Sequence, residues 1–472
     1  MRRTKIVATL GPACDPPDEL EQMIVNGLDV ARINFSHGRA EDHAARVEKL
    51  HELAARHKRH VAVMVDLQGP KIRIERFRDG PVTLADGDEF ILDTNLPADA
   101  GDRHQVGVTY KDLARDVGDG DTLLLDDGNL TMRVLSVRDG RLTCRVINGG
   151  VLSDSKGLNR QGGGISAEAL TEKDKDDIRL AVELDADFIA VSFVRDASEV
   201  DRARKLIEKA GGQAHVVAKI ERAEAIDNVD EIIHASDAVM VARGDLGVEI
   251  GDAELVGMQK RIIRRARGQN RAVITATQMM QSMVESPQPT RAEVMDVANA
   301  VIDGTDAVML SGETAVGKHP AKVIEAMDRI CRGAERQRIT MMSNHRLEAE
   351  FENVEEAIAM ASMYVANHFD VKAIVAMTES GMTAKLMSRI SSGIPIVAMS
   401  RRTQTLQRVT LYRGVYPMYF DNTGLSIGES EQHMIRELRR LGLVDKDDNV
   451  AVTMGDVTGV AGGTNTMKIV KV

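Results

Sequence analysis

Cysteine is scarce. Cys14, Cys144 and Cys331 lie far apart and none forms a CxxC pair. That excludes a disulfide scaffold and a thiolate zinc site, and it points to a reducing cytoplasm. Positive charge is also in deficit. With 61 Lys and Arg against 72 Asp and Glu, the formal net charge is −11. A general nucleic-acid or anionic-membrane binder would carry the opposite sign. An anionic substrate must therefore meet a local basic site. No apolar run approaches the length that spans a bilayer. The first one is too short for a signal h-region and is broken by Gly11-Pro12. Tryptophan is absent and aromatics are 3%, whereas methionine is abundant at 24 residues. Those methionines read as flexible core filler rather than as a binding surface.

A disordered chain is excluded by 43% hydrophobic and 28% charged residues. At 472 residues the chain exceeds one hydrophobic core, so two or three domains are expected. Short β-branched runs recur: KIVATLGP, VARINFSHG, VAVMVDLQGP, FIAVSFV, HVVAKIE, AVMVARGD, AVITATQM and AVMLSGET. Near-continuous apolar runs are the pattern of strands buried on both faces. Amphipathic segments lie between most of them. One begins at Glu41, one takes Thr171 as its N-cap, and one has Thr290 and Glu293 at capping-box spacing. Roughly eight such units predict a (β/α)8 barrel.

The third unit is interrupted. From Lys71 to Gly164 the helical pattern gives way to short strand-like pieces, with Asp-Gly or Asn-Gly at Gly80, Gly87, Gly120, Gly128, Gly140 and Gly149. These dipeptides suit hairpin turns and predict a small β-barrel domain. It enters at the end of the barrel where active sites are built, so it can serve as a lid. Beyond Arg329 the segment ICRGAERQRITMMSNHRLEAEF reads as a helix end and connector. KAIVAMTES, IPIVAMS, VYPMYF, NVAVTMGD and TMKIVKV then predict an open α/β domain of about five strands. We divide the chain into a barrel (1–69 and 168–342), a lid (70–167) and a C-terminal domain (343–472). No low-complexity segment or short-period repeat stands out.

Polar residues gather at the predicted strand ends. Lys219 and Glu221, two apart, share a strand face, and Asp245 closes the next strand. Two carboxylates on adjacent strand ends can bind a hard cation such as Mg²⁺, and an ammonium beside them can neutralise phosphoryl oxygens. A plain ion pair on a barrel rim is the other reading. Gly244 lets a ligand approach the backbone at a helix start. Arg32, Asn34, Ser36 and His37 end the second strand, Asp66 ends the third with Arg73 after it, and Thr277 ends the seventh. Arg32 and Arg73 can grip phosphates bidentately. GETAVGKH has the frame of a P-loop, but His319 replaces the hydroxyl residue and Pro320 follows, so a P-loop is rejected. Lys260, Arg261, Arg264, Arg265 and Arg267 carry no interleaved aromatics. They read as a solvated face or subunit contact, not a nucleic-acid site.

Together TKIVATLGPA, RINFSHG, DLQGPKIR, AKIERAEAI, ARGDLGVEI, TATQMM, TRAEVMDVANAV and DAVMLSGET resemble the pyruvate kinases, most closely the bacterial ones. The resemblance runs from Thr4 to TNTMKIVKV. It implies a TIM barrel, an inserted lid and a C-terminal effector domain, the layout reached above from punctuation, and adds a homotetramer. It implies phosphoryl transfer from phosphoenolpyruvate to ADP, followed by protonation of enolpyruvate. By motif match Lys219 stabilises the transition state, and Glu221 and Asp245 hold Mg²⁺. Arg32 contacts substrate phosphate, while Gly244, Asp245 and Thr277 hold the substrate. Asn34, His37, Arg73 and Lys156 approach the nucleotide, and Ser311 serves proton delivery. A K⁺ site would use Asn34, Ser36, Asp66 and the Leu67 carbonyl. Lys71 stands where K⁺-dependent members carry glutamate, so strict K⁺ dependence is not expected. A lyase sharing the metal site would not need ADP. A non-catalytic sugar-phosphate sensor would not need Lys219, Glu221, Asp245 and Thr277 intact.

The loop TESGMTA ends a strand and opens a helix, where hydroxyls and amides can form a phosphate nest. The resemblance puts an effector site at the matching loop. Thr378, Ser380, Thr383 and Arg401 are its candidate residues, with Ser400 and Arg402 beside them and GDVTGVAGG as a wall. A sugar phosphate or nucleotide is the expected ligand, a monophosphate ahead of a bisphosphate.

Overall fold

The computed structural model describes residues 1–341, 350–456, 459 and 461–472. Eight parallel strands close into a barrel in the order 1-8-7-6-5-4-3-2. In chain order they are Lys5–Leu10, Val30–Asn34, Ala62–Asp66, Phe188–Val191, His215–Ile220, Ala238–Ala242, Ala272–Ala276 and Ala307–Leu310. All eight apolar runs of the sequence are barrel strands, and nearly every residue in them is buried. Capping boxes start the helices Glu172–Glu183 and Arg291–Asp303, with Thr171–Asp174 and Thr290–Glu293 as the reciprocal pairs. Such caps satisfy amides that the first helical turn leaves open.

An aspartate precedes every even-numbered barrel strand. Asp29, Asp187, Asp237 and Asp306 each accept the N–H of an odd-numbered neighbour: Ile6 at 2.8 Å, Val63 at 2.8 Å, Val216 at 2.9 Å and Val273 at 3.0 Å. These carboxylates stitch the strands in pairs at the barrel face opposite the lid. Three are held by arginines: Arg2 lies 2.9 Å from Asp29, Arg204 lies 2.9 Å from Asp237, and the fully buried Arg389 pairs with Asp306. Asp187 has no ion pair among the described residues, and burial pushes its carboxyl up to about 7, against the Val63 N–H and the Arg408 charge.

That face receives the C-terminal domain. Its sheet runs Val415–Tyr419, Ile396–Ser400, Ala373–Met377, Asn449–Gly455 and Thr464–Lys471 in spatial order, with the last strand antiparallel. The five strands are the five predicted ones. Barrel-lining Val7, Val30, Met64 and Phe188 share one buried cluster with Leu411 and Val415 of this domain. Part of the predicted connector, at 342–349, and the boundary at 342/343 fall outside the described residues, as do 457, 458 and 460 in the GDVTGVAGG wall.

The predicted β-rich lid is present, as a curled half-barrel rather than a closed barrel. It is a six-stranded curled sheet, Leu158–Arg160, Thr122–Leu125, Leu130–Arg138, Arg141–Asn148, Glu89–Asp93 and Gln105–Gly107, beside a separate pair Val82–Leu84 and Gly150–Leu152. It holds its own buried cluster around Phe90, Val106, Leu123 and Met132. Asp139 and Gly140, at φ 52° and 79°, form the tight hairpin the dipeptide predicts. Gly149 is not in the left-handed region. A Cβ there would run into the backbone of Leu84, so close approach explains that glycine.

Candidate active site

Lys219 is the centre of the strand-end cluster. Its ammonium lies 2.9 Å from Glu221 Oε1 and 3.2 Å from Asp66 Oδ1, and donates to Ser192 Oγ at 2.7 Å. The side chains of Asp66 and Glu221 are 1% and 2% exposed, so these charges are almost wholly withdrawn from water. Burial disfavours the ammonium, but Asp66 and Glu221 outweigh it and hold Lys219 above the ordinary lysine range. Burial acts on Asp66 too, yet Arg32 and Lys219 keep its carboxyl below the usual range. Arg32 donates to Asp66 Oδ2 at 2.7 Å and to Thr9 Oγ1 at 2.7 Å, which aims the guanidinium across the barrel mouth.

Asp245 sits differently from the sequence expectation. The sixth strand stops at Ala242, and Asp245 occupies the first turn of the helix Arg243–Ile250. The second carboxylate beside Lys219 is therefore Asp66, not Asp245. Asp245 instead pairs with Lys71 at 3.3 Å, so Lys71 reaches from the lid hinge into the site rather than out to solvent. Glu221 lies just past its strand end and accepts the Phe193 N–H at 2.8 Å. Burial and the nearby Asp245 charge push its carboxyl above the ordinary range, with Lys219 opposing. A buried carboxylate whose charge is disfavoured, with a second carboxylate near it, suits a divalent cation with oxygen ligands. Among the described residues no group of three or more side chains could cage a metal. Substrate oxygens and water would complete the shell, as is usual for Mg²⁺.

Thr277 follows the seventh strand at φ 68°, a strained conformation for a β-branched residue. Its hydroxyl accepts the Gly244 N–H at 2.8 Å and donates to the Ala276 carbonyl at 2.6 Å. An amide and a hydroxyl thus face one another at the start of a helix. Ser311 follows the eighth strand, its N–H held by Glu313 at 2.6 Å. On the second strand's end, Asn34 Oδ1 accepts the Ser36 N–H at 3.1 Å, and His37 is exposed. Asn34 and Asp66 are register partners, and the Leu67 carbonyl accepts from Ser192 at 2.8 Å. Arg73 and Lys156 lie on neighbouring lid segments: Arg73 donates to the Ser155 carbonyl at 2.9 Å, and Lys156 pairs with Asp126 at 2.6 Å.

Matching the whole chain against known proteins gives one result. Residues 1–324 match the family described as "Pyruvate kinase, barrel domain", and 356–470 match "Pyruvate kinase, alpha/beta domain". The "Pyruvate kinase II" of Salmonella typhimurium is 55% identical over 476 aligned residues, covering 100% of this chain and 99% of that one. The "Pyruvate kinase" of Haemophilus influenzae is 52% identical, covering 96% of each chain. That of Thermococcus litoralis is 39% identical, covering 100% and 98%. The chain belongs to the pyruvate kinase family. It is a phosphotransferase that converts phosphoenolpyruvate and ADP to pyruvate and ATP in glycolysis, in a family that uses a divalent metal.

The effector candidates are partly brought together. Thr378, Ser380, Ser400 and Arg401 line a cavity of about 320 Å³ in the C-terminal domain. The Thr378 hydroxyl accepts the Gly381 N–H at 2.8 Å. Thr383 is fully buried, and its hydroxyl donates to Glu355 at 2.6 Å, so it braces the wall rather than facing the cavity. Glu379 holds both Arg401, at 3.5 Å, and Arg402, at 2.7 Å. The basic helix also proves to be more than a solvated face. Lys260 pairs with Asp303 at 2.6 Å, Arg265 with Asp230 at 3.6 Å, and Arg267 donates to the Arg389 carbonyl at 3.1 Å. Sequence reasoning missed Ser192, Thr9 and Phe193. Ser192 and Phe193 lie inside the apolar run FIAVSFV, past the point where its strand Phe188–Val191 ends, so the run itself hid the strand end.

Proposed function

We propose that the transfer takes place between Lys219 and the Glu221–Asp245 pair. The observation that carries this reading is the Lys219 ammonium, buried between carboxylates at the barrel mouth. Bound Mg²⁺ would be held by Glu221 and Asp245 and would draw charge from the phosphoryl oxygens. The chain's own groups do the rest by position and charge, which is what phosphoryl transfer needs. Arg32 holds the substrate phosphate from the wall opposite. The Gly244 N–H and Thr277 hydroxyl exchange their mutual bond for the substrate carboxylate. Arg73 and Lys156 bring nucleotide phosphates from the lid, with Asn34 and His37 at the rim. Ser311 relays a proton to the enolate carbon through water.

Lys71, paired with Asp245, also bears on K⁺. An ammonium carried on the lid hinge adds a fixed positive charge to the site, so Asn34, Ser36, Asp66 and Leu67 need no K⁺ for turnover. The C-terminal cavity takes a phosphorylated metabolite as effector, supported by Thr378, Ser380 and Arg401 on one wall. A homotetramer is supported by exposed large apolar side chains on both domains, Val256 and Met295 on the barrel and Tyr364 and Phe369 on the C-terminal domain. Three buried free thiols suit a reducing cytoplasm, and among the described residues no helix is long and apolar enough to cross a membrane. A lactate-dehydrogenase-coupled assay with phosphoenolpyruvate, ADP and Mg²⁺ tests the reading. Pyruvate formation without ADP or without a divalent metal would overturn it.

A further inference from the structure

We propose that Ser192 is a positioning residue for phosphoryl transfer, holding the Lys219 ammonium through a hydroxyl whose own proton is committed to the Leu67 carbonyl. The proposal rests on Lys219 being the transition-state lysine. Lys219 Nζ donates to Ser192 Oγ at 2.7 Å, and Ser192 Oγ donates to the Leu67 carbonyl at 2.8 Å. An ammonium cannot accept a hydrogen bond and a carbonyl cannot donate one, so the direction of this chain is forced. Ser192 is 1% exposed, so it is withdrawn from bulk solvent.

The hydroxyl differs from the other two partners of the ammonium. Asp66 is already engaged by Arg32 at 2.7 Å, and Glu221 is the carboxylate a divalent cation would draw away. Both also neutralise the charge they hold. Ser192 is neutral, so it fixes the direction of Nζ while leaving its charge for the phosphoryl oxygens. Were Glu221 to hold a divalent cation, one N–H of Lys219 would be free for substrate and the Ser192 bond would remain.

The turn that carries Ser192 is built for this. Phe193, the next residue, has φ 57°, an unfavourable region for a bulky side chain. That conformation directs its N–H to Glu221 Oε2 at 2.8 Å. One turn thus braces Lys219 with a side chain and Glu221 with an amide. Gly69, at φ 65°, lies beneath, where an added Cβ would come 2.8 Å from Ser192 Cβ. Strain at the turn and a glycine floor under it both serve to hold the Ser192 hydroxyl in place.

The test compares Ser192→Ala, Ser192→Cys and Lys219→Met as purified full-length enzymes, with kcat, KM for phosphoenolpyruvate and Tm. Cysteine fills the space of serine but accepts hydrogen bonds weakly, so it separates bonding from packing. We expect both Ser192 variants to lose about tenfold to a hundredfold in kcat, the scale of a misplaced catalytic group. KM should stay within about twofold. In a Lys219→Met background, Ser192→Ala should cause no further loss, because there is no ammonium left to position. Normal kcat in Ser192→Ala, wild-type behaviour of Ser192→Cys, or an equal loss in the Lys219→Met background would each overturn the proposal. If Ser192→Ala fails to fold, the cysteine variant carries the test. If Lys219→Met itself turns over normally, the lysine assignment falls and this proposal with it. If Lys219→Met is inactive and Ser192→Ala is normal, the lysine assignment stands and only this proposal fails.

Discussion

Replacing Lys219 with methionine removes an ammonium and keeps a side chain of similar length. The catalytic loss follows from geometry. The charge lies 2.9 Å from the proposed metal ligand Glu221, in surroundings that exclude water. Removing a preorganised charge of this kind costs about 3 kcal/mol or more in the barrier, which is roughly a 150-fold fall in kcat. The stability loss should be smaller than for a bare buried charge, which costs about 3–5 kcal/mol when its partner is removed. Asp66 keeps Arg32 at 2.7 Å, and Glu221 keeps the Phe193 N–H at 2.8 Å. Glu221 is also pushed upward by burial already, so it can shed its charge by taking a proton. The coupled assay at saturating phosphoenolpyruvate, ADP and Mg²⁺ measures the first effect, and circular-dichroism melting measures the second. Turnover within tenfold of wild type, in a variant that melts cooperatively, would refute the role given to Lys219.

Glu221→Gln keeps an acceptor for the Phe193 N–H but loses the charge, so the half-saturating Mg²⁺ concentration should rise at least about tenfold; an unchanged Mg²⁺ titration would remove Glu221 from the metal site. With K⁺ replaced by a large organic cation, wild type should stay active and Lys71→Glu should acquire K⁺ dependence; a wild type nearly dead without K⁺ contradicts the role of Lys71. Ser380→Asp puts a negative charge in the C-terminal cavity and should abolish any shift in phosphoenolpyruvate affinity caused by a sugar monophosphate, fructose 1,6-bisphosphate or AMP; an undiminished shift puts the effector elsewhere. Asp187, raised by burial from 3.8 to about 7, binds its proton more tightly in the folded state, so its contribution to stability is present below about pH 4 and is lost as pH rises to 7. Asp187→Asn keeps an acceptor for the Val63 N–H, so its Tm should exceed that of wild type at pH 8, by a margin worth on the order of 4 kcal/mol, and the margin should vanish near pH 4.

The barrel strands were legible because burial on both faces leaves an apolar run that polar punctuation ends. The lid was legible through its turn dipeptides, since Asp139-Gly140 permits a hairpin that few other pairs allow. That its sheet curls without closing was not, because whether six strands curl or close depends on partners far apart in sequence, such as Glu89–Asp93 with Arg141–Asn148. The four aspartates before even-numbered strands were open to view in LDV, ADF, SDA and TDA. Their role depends on barrel closure, which brings each carboxylate to the N–H of a neighbouring strand.

Pairing within the site was the least legible part, and the fourth strand shows why. Its partners are Asp66 of the third strand opposite Ala190, and Ala218 of the fifth opposite Val191. Ser192 would therefore stand level with Lys219, two residues beyond Ala190, the partner of Asp66. The strand ends at Val191, and the positive φ of Phe193 turns the chain away there. With the intervening strand cut short, Lys219 can reach across it to Asp66, two strands away, while Asp245 is carried off on a helix to meet Lys71. Spacing within one segment puts Lys219 and Glu221 on one face. Which further carboxylate completes the site depends on where a different strand stops, and that is decided by one residue in an unfavourable conformation.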